Sequence, residues 1–333
     1  MENSARKMKA LVLEQFEAPY VLKEIAIPTV GDDQVLVQIK ASGINPLDLK
    51  IKSGNAGHAK AILPAILGID MAGIIVKVGQ NVEDFKVGDE VYGMTGGIGG
   101  VQGSLAQYAS VDPDLLALKP KNLTMREAAS LPLAFISAWE GLVDRARVSE
   151  KHSVLIHGGA GGVGNIAVQL AKSFGAKVFA TVSESQKTFL NNLGATAIDY
   201  EKESVSDYVD LHTNGDGFDI IFDTIGGTTL DASFQAVKIY SGHVVSILGW
   251  GVHSLAPLSF RGSSYSGIFT LLPLLSGKGR KRHGEMLKEA TRLAENGLLK
   301  PILDSQIYIL ETIEEAYKAI ESRIARKKVV IEI

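Results

Sequence analysis

From residue 9 to about 120, apolar residues fall in short runs cut by Gly, Pro and Asp: KALVLEQF, YVLKEIAIP, QVLVQIKASG, GIIVKVG, EVYGMT and SLAQYASV, with VGDDQ and VGDE as turns between them. Val, Ile and Leu in runs of this length predict strands, so this stretch reads as an all-β module. At Thr124 the pattern changes. TMRE has the form of a capping box, Thr124 with Glu127, and opens a helical tract to about Arg147 that Pro132 interrupts. Between 153 and 249 strands and helices alternate: SVLIHG, a helix over 162–174, KVFATV, a helix over 184–193, AIDY, a helix over 204–212, FDIIFDTIG, a helix over 228–239, and HVVSILG. Such alternation predicts a parallel sheet with helices on both faces. After about 265 comes a Gly/Ser/Pro-rich stretch, then helices over 283–296 and 312–323. The second begins with TIEE, a further capping-box pattern, and puts Ile313, Ala316, Tyr317 and Ile320 on one face. KKVVIEI closes the chain as a strand, and there is no internal repeat or low-complexity tract.

Length turns this pattern into an expectation of two domains, since 333 residues exceed the usual size of one core. A hydrophobic content of 46% suffices for two ordinary cores, and a net charge of −3 supplies no field to draw nucleic acid or an anionic membrane. With no cysteine, disulfides, thiolate nucleophiles and cysteine-ligated zinc are excluded. MENSARKMKALVL turns polar at Glu14, and IFTLLPLL at 268–275 is too short to span a bilayer. These features predict a soluble, cytoplasmic protein.

The candidate chemistry starts at HGGAGGVGNIAVQLAK, residues 157–172. Gly159, Gly161 and Gly164 make G-x-G-x-x-G directly after a strand and directly before a helix with apolar residues at helical spacing. In that context the first glycine allows a tight turn, the second a close backbone approach to a pyrophosphate, and the third the packing of helix on strand. Amides of Gly161, Gly162, Val163 and Gly164 then face the anion. A dinucleotide cofactor follows. The tip of the second strand carries Thr181, Val182 and Ser183 rather than the carboxylate that holds an NAD ribose, and Lys187 lies about one helical turn on, which favours NADPH. Glu184 is the rival ribose ligand by its distance from the loop, or a surface residue that complements a helix dipole.

With ASGINPLD at 41–48, PAILGIDMAGIIVKVG at 64–79, FKVGDEVYG at 85–93, AASLPLAFISAWEGL at 128–142, the glycine loop, LGATAIDY at 193–200, FDTIGG at 222–227 and AIESR at 319–323, the chain resembles the zinc-free medium-chain dehydrogenases/reductases. It is most similar to their quinone oxidoreductase group, which includes zeta-crystallin. The resemblance implies an α/β fold. A GroES-like β domain would be built from both chain ends, 1–125 and 270–333, with a Rossmann doubly wound parallel-sheet domain over 126–269 and a substrate cleft where they meet. It also implies a homodimer joined through the Rossmann sheets. Zinc-dependent members have Cys where this chain has Asn45, and Gly-His-Glu where it has Gly68, Ile69 and Asp70, so no metal is expected. His157, at a strand end, reads as a packing or loop residue rather than a ligand. Carried over position by position, the resemblance puts Lys187, Tyr200 and Arg323 around the adenosine 2′-phosphate, Ser137 and Asn45 near the nicotinamide, and backbone around Leu248 near its carboxamide. Where the family often has tyrosines after its asparagine, this chain has Lys50 and Ala56, leaving Lys50 as a candidate to stabilise enolate charge.

The expected activity is NADPH-dependent reduction of a quinone or an α,β-unsaturated carbonyl without metal. A zinc-free dehydrogenase or reductase of another carbonyl is a second reading. A non-catalytic NADPH-binding protein is the third, and its support is two basic runs, GKGRKRHG at 277–284 and RIARKK at 323–328.

Overall fold

The computed structural model describes residues 6–322, 324 and 327–333. It divides into two compact units, Met1–Leu133 with Leu271–Ile333, and Ala134–Thr270. The first division falls inside the helix Pro132–Trp139.

The first unit contains β1 (Lys7–Val12), β2 (Val21–Ala26), β3 (Val35–Gly43), β4 (Asp70–Val78), β5 (Glu90–Met94), β6 (Tyr108–Val111) and β7 (Leu116–Leu118). The second contains β8 (Ser153–His157), β9 (Lys177–Val182), β10 (Thr196–Asp199), β11 (Ile220–Asp223), β12 (His243–Ser246) and β13 (Ser264–Gly267). The chain end returns β14 (Tyr308–Ile309) and β15 (Val330–Glu332) to the first unit.

In the first unit one sheet runs β14-β15-β3-β4-β5-β7, with β6 on β3, while β1 and β2 pair antiparallel as a two-stranded sheet. Its apolar side chains, among them Val35, Val37, Ile39, Met71, Ile75 and Val91, form one buried cluster. The C-terminal strand is built into this sheet. Val330, Ile331 and Glu332 pair antiparallel with Gly43, Ser42 and Ala41, and Ile44 N donates to the Val329 carbonyl at 3.0 Å.

The second unit holds a parallel sheet in the order β10-β9-β8-β11-β12-β13. Numbered from the start of that unit, this is 3-2-1-4-5-6, the strand order of a Rossmann fold, whose ligands bind at the carboxyl ends of the strands where the order reverses. The four central strands are buried, which is why VLIH, VFATV, IIFD and VVS read as continuous apolar runs. SYSG, the edge strand β13, is half-exposed and polar, and its composition reads as a loop.

The capping box at Thr124 forms: Glu127 N donates to Thr124 Oγ1 at 3.2 Å, and Thr124 N donates to Glu127 Oε2 at 2.8 Å. Pro132 opens a second helix rather than interrupting one. The box expected at TIEE does not form. Thr312 Oγ1 turns back instead to accept from Ile309 N at 3.0 Å and donate to its carbonyl, capping the preceding turn. Among the described residues no helix is long and apolar enough to cross a membrane.

The glycine loop gives a direct test of this packing. A Cβ on Gly164 would stand 2.1 Å from the Gly158 carbonyl oxygen, whereas one on Gly162 would meet nothing within 4 Å. Gly164→Ala should therefore lower stability by about 1–3 kcal/mol through overpacking, and Gly162→Ala by less than about 0.5 kcal/mol. Urea denaturation of both variants checks this, and equal losses would contradict the geometry.

Candidate active site

The helix Gly162–Ser173 begins with Gly161 as its N-cap, in extended conformation and with no side-chain cap. Of the four amides at this helix start, Gly161 N donates to the Gly158 carbonyl at 2.9 Å, which leaves Gly162, Val163 and Gly164 without a side-chain cap, and the dipole adds partial positive charge there. Asn165 Nδ2 instead holds the carbonyls of Gly161 and Gly162, at 2.7 and 3.1 Å. The glycines divide the work differently from the sequence expectation. The turn is made by Gly158, at φ 72°. Gly159 is required because its Cβ would stand 2.5 Å from that of Ala180. Gly161 and Gly162 are exposed, as a surface meant to approach a ligand must be. These features fit a pyrophosphate.

Beneath the loop, the strand ends carry a buried polar cluster. His157 ends β8, and Asp223, its register partner, ends β11. His157 Nδ1 lies 3.2 Å from Thr181 Oγ1, which also accepts from Gly158 N at 3.2 Å, while Thr224 Oγ1 donates to the His157 carbonyl at 2.7 Å. Burial pushes His157 down to about 4, with Asp223 opposing, so the imidazole is neutral near pH 7. This is the packing role expected of it. Asp223 accepts from Ile225 N, from Gly226 N and from Ser246 Oγ at 2.7 Å, and Ser246 Oγ accepts in turn from Leu248 N at 3.1 Å. Leu248 is thereby fixed just past a strand end, half-buried. Ser137 is buried in the same unit, its Oγ 3.4 Å from Thr270 Oγ1.

At the tips of β9 and β10 the charged groups gather. Ser183 lies at the end of β9, Lys187 opens the following helix, and Tyr200, 59% exposed, follows β10. Glu184 is not a free carboxylate: Lys202 Nζ lies 2.8 Å and Lys187 Nζ 3.4 Å from its Oε2. Lys202 first and Lys187 second hold it down at about 2. The structure thus brings Ser183, Lys187 and Tyr200 to neighbouring strand tips and adds Lys202. Sequence reasoning missed Lys202, although it follows Tyr200 by two positions. Arg323 lies outside the described residues.

In the first unit a second buried cluster surrounds Asn45. Its Nδ2 donates to Asp70 Oδ2 at 2.9 Å, and its backbone N donates to Asp48 Oδ2 at 2.7 Å. Lys328 Nζ donates to Asn45 Oδ1 and lies 3.4 Å from Asp70 Oδ2. Leu133 N supplies a further donor to Asp70 Oδ1 at 2.9 Å. Asn45, Asp48 and Asp70 are all buried, and burial raises both carboxyls, Asp48 to about 7. Lys50 sits on the last turn of the helix Pro46–Lys52, and its side chain is exposed.

A zinc centre does not fit these residues. Asn45 presents a neutral amide with both ends engaged, Ile69 offers no donor, and an ammonium lies against Asp70. Among the described residues no three His, Cys, Asp or Glu side chains converge.

The alcohol dehydrogenase GroES-like domain family matches residues 31–121, and the zinc-binding dehydrogenase family matches residues 193–331. A 2-methylene-furan-3-one reductase of Solanum lycopersicum is 38% identical across 98% of this chain and 79% of its own. The chloroplastic NADPH-dependent alkenal/one oxidoreductase of Arabidopsis thaliana is 37% identical across 98% and 80%. The human (Homo sapiens) quinone oxidoreductase is 29% identical across 96% of each chain. Among solved structures, an alcohol dehydrogenase superfamily protein from Novosphingobium aromaticivorans superposes with a TM-score of 0.96 at 53% identity, covering 98% of this chain and 99% of its own.

The buried carboxyl of Asp48 gives a signed prediction. Its folded value, about 7, lies above the ordinary 3.8, so between those values the folded state holds a proton that the unfolded state has lost. Stability from this group is full below about pH 4 and is lost as pH rises toward 7. Asp48→Asn retains an acceptor for the Asn45 amide and removes the titration. Relative to wild type, the variant should gain stability between pH 5 and pH 8 in urea denaturation; a constant difference across that range would contradict the assignment.

Proposed function

The chain belongs to the medium-chain dehydrogenase/reductase superfamily, in its zinc-free quinone oxidoreductase group, and on that premise we propose that it uses NADPH to reduce quinones or the carbon–carbon double bond of α,β-unsaturated carbonyls. The observation that carries the cofactor choice is the lysine pair at the tips of β9 and β10. Lys187 and Lys202 both engage Glu184, so the carboxylate that competes for an NAD ribose is already paired with cations suited to a 2′-phosphate. Relatives named for NADPH and for alkenal/one, furanone and quinone substrates support the same reading.

When bound, NADPH supplies a hydride from its nicotinamide ring. The chain's own residues do the rest. Backbone amides of Gly162, Val163 and Gly164 receive the pyrophosphate, with Gly161 shaping the turn beside it; Ser183, Lys187, Tyr200 and Lys202 serve the adenosine end, where the resemblance also puts Arg323; the resemblance puts Ser137, Asn45 and the Leu248 backbone at the nicotinamide end. Orientation is the main catalytic contribution, because an enone or quinone is already electrophilic. Negative charge grows on the acceptor oxygen, and Lys50 is the exposed cation assigned to it, with solvent giving the proton. The apolar residues Trp250, Val252 and Leu255, all at least half exposed, follow β12 in the chain, and β13 is an edge strand of the same sheet; together they support a homodimer joined through this sheet. Sedimentation at micromolar concentration tests it, and a monomer would remove it.

Turnover with NADPH against a panel of quinones and short enones tests the activity. Lys187→Ala should weaken NADPH about tenfold to a hundredfold, the worth of a charge-assisted hydrogen bond, while NADH binding changes little. Equal weakening of both cofactors, or a wild type that prefers NADH, would return the ribose to Glu184.

A further inference from the structure

The misfit between the zinc-binding family and these residues has a particular form. Asn45 and Asp70 stand where zinc-dependent members place ligands, and a single ammonium, that of Lys328, contacts both side chains. Pairing of β15 with the end of β3 delivers it, since Ile44 N bonds to Val329, the residue after Lys328. Lys328 is one of the chain's basic-run residues, yet its side chain is only 11% exposed. The neighbouring charges are the two buried carboxyls Asp48 and Asp70, with Asp70 tied to the Leu133 amide.

We propose that Lys328 is a built-in replacement for the metal: a fixed internal cation that locks the Asn45 amide in one orientation and balances the buried Asp70 carboxylate. It is a positioning residue, acting through Asn45. Lysine suits the place because its compact ammonium can donate to an amide oxygen and a carboxylate oxygen at once, with no coordination geometry to satisfy. Both ends of the Asn45 amide are then fixed, Oδ1 by Lys328 and Nδ2 by Asp70. Such preorganisation matters most when charge develops during reaction. The effect on turnover rests on the reading above that Asn45 stands beside the nicotinamide.

Two sets of variants test it. Lys328→Met removes the cation and strands the Asp70 carboxylate, so its urea midpoint should fall, and Lys328→Met/Asp70→Asn should recover most of that loss. Recovery would show that the two groups neutralise each other; equal midpoints for the single and double variants would overturn the ion pair whether or not the enzyme reduces enones. With an enone and NADPH, both variants should lose about tenfold to a hundredfold in kcat while the NADPH Kd, read by fluorescence, stays within about twofold. Lys328→Arg, which keeps the charge, should restore much of kcat. A stable double variant with wild-type kcat would overturn the positioning role, as would one zinc per chain lost together with activity. A wild type that binds NADPH but reduces no acceptor would remove the functional reading and the kinetic half of this inference with it, leaving the stability comparison to decide the other half.

Discussion

A carboxylate taken fully out of water must be neutralised and hydrogen-bonded, or it unfolds the site around it. Asp70 is such a group, and its partners come from three distant stretches: Asn45 after β3, Leu133 at the start of a helix, and Lys328 just before β15. Satisfying one side chain therefore ties the first helix-bearing loop, the connection out of the β-rich unit and the C-terminal strand into one arrangement. The sheet pairing of β15 with β3 and the Asn45 cluster reinforce each other. Neither can slip by a residue without stranding a buried charge.

The second unit solves the related problem of unpaired backbone in a different way. Its strands end in side chains that serve the loops above them: Thr181 takes Gly158 N, Asp223 takes two loop amides, and Ser246 takes Leu248 N. Loop amides near the strand ends are thus used internally. The amides at the start of the helix Gly162–Ser173 have no side-chain cap, while Asn165 satisfies the adjoining carbonyls. The donors left for a ligand are the ones that a phosphate requires.

What the sequence reveals follows from how local each signal is. The glycine loop was legible because its strand, turn and helix adjoin, and the alternating pattern of residues 153–249 yields the parallel sheet for the same reason. Thr124 capped as its local pattern predicted, but Thr312, with the same pattern, found the preceding turn instead. A capping box is one option among several for a hydroxyl. The edge strand β13 was hidden because an edge need not be apolar. Lys202 and Lys328 were hidden for a tertiary reason: the first lies in a polar stretch and the second ends a basic run, and only folding shows one meeting Glu184 and the other buried against Asp70. The helix that carries Lys50, Pro46–Lys52, was hidden because it begins with proline and is too short to show a period.

Replacing a metal by an ammonium also restricts the chemistry. A zinc ion lowers the pKa of a bound oxygen by several units and so prepares an alcohol for oxidation. An ammonium can only donate hydrogen bonds and charge, which does little for a neutral alcohol. Enones and quinones make no such demand, because their conjugation already makes a carbon electrophilic and spreads the resulting charge over an oxygen. The change at Asn45, Ile69 and Asp70 and the inward turn of Lys328 are therefore one substitution in physical terms. Both changes forgo a strong Lewis acid, and together they fit a site whose task is to orient two reactants that need little activation.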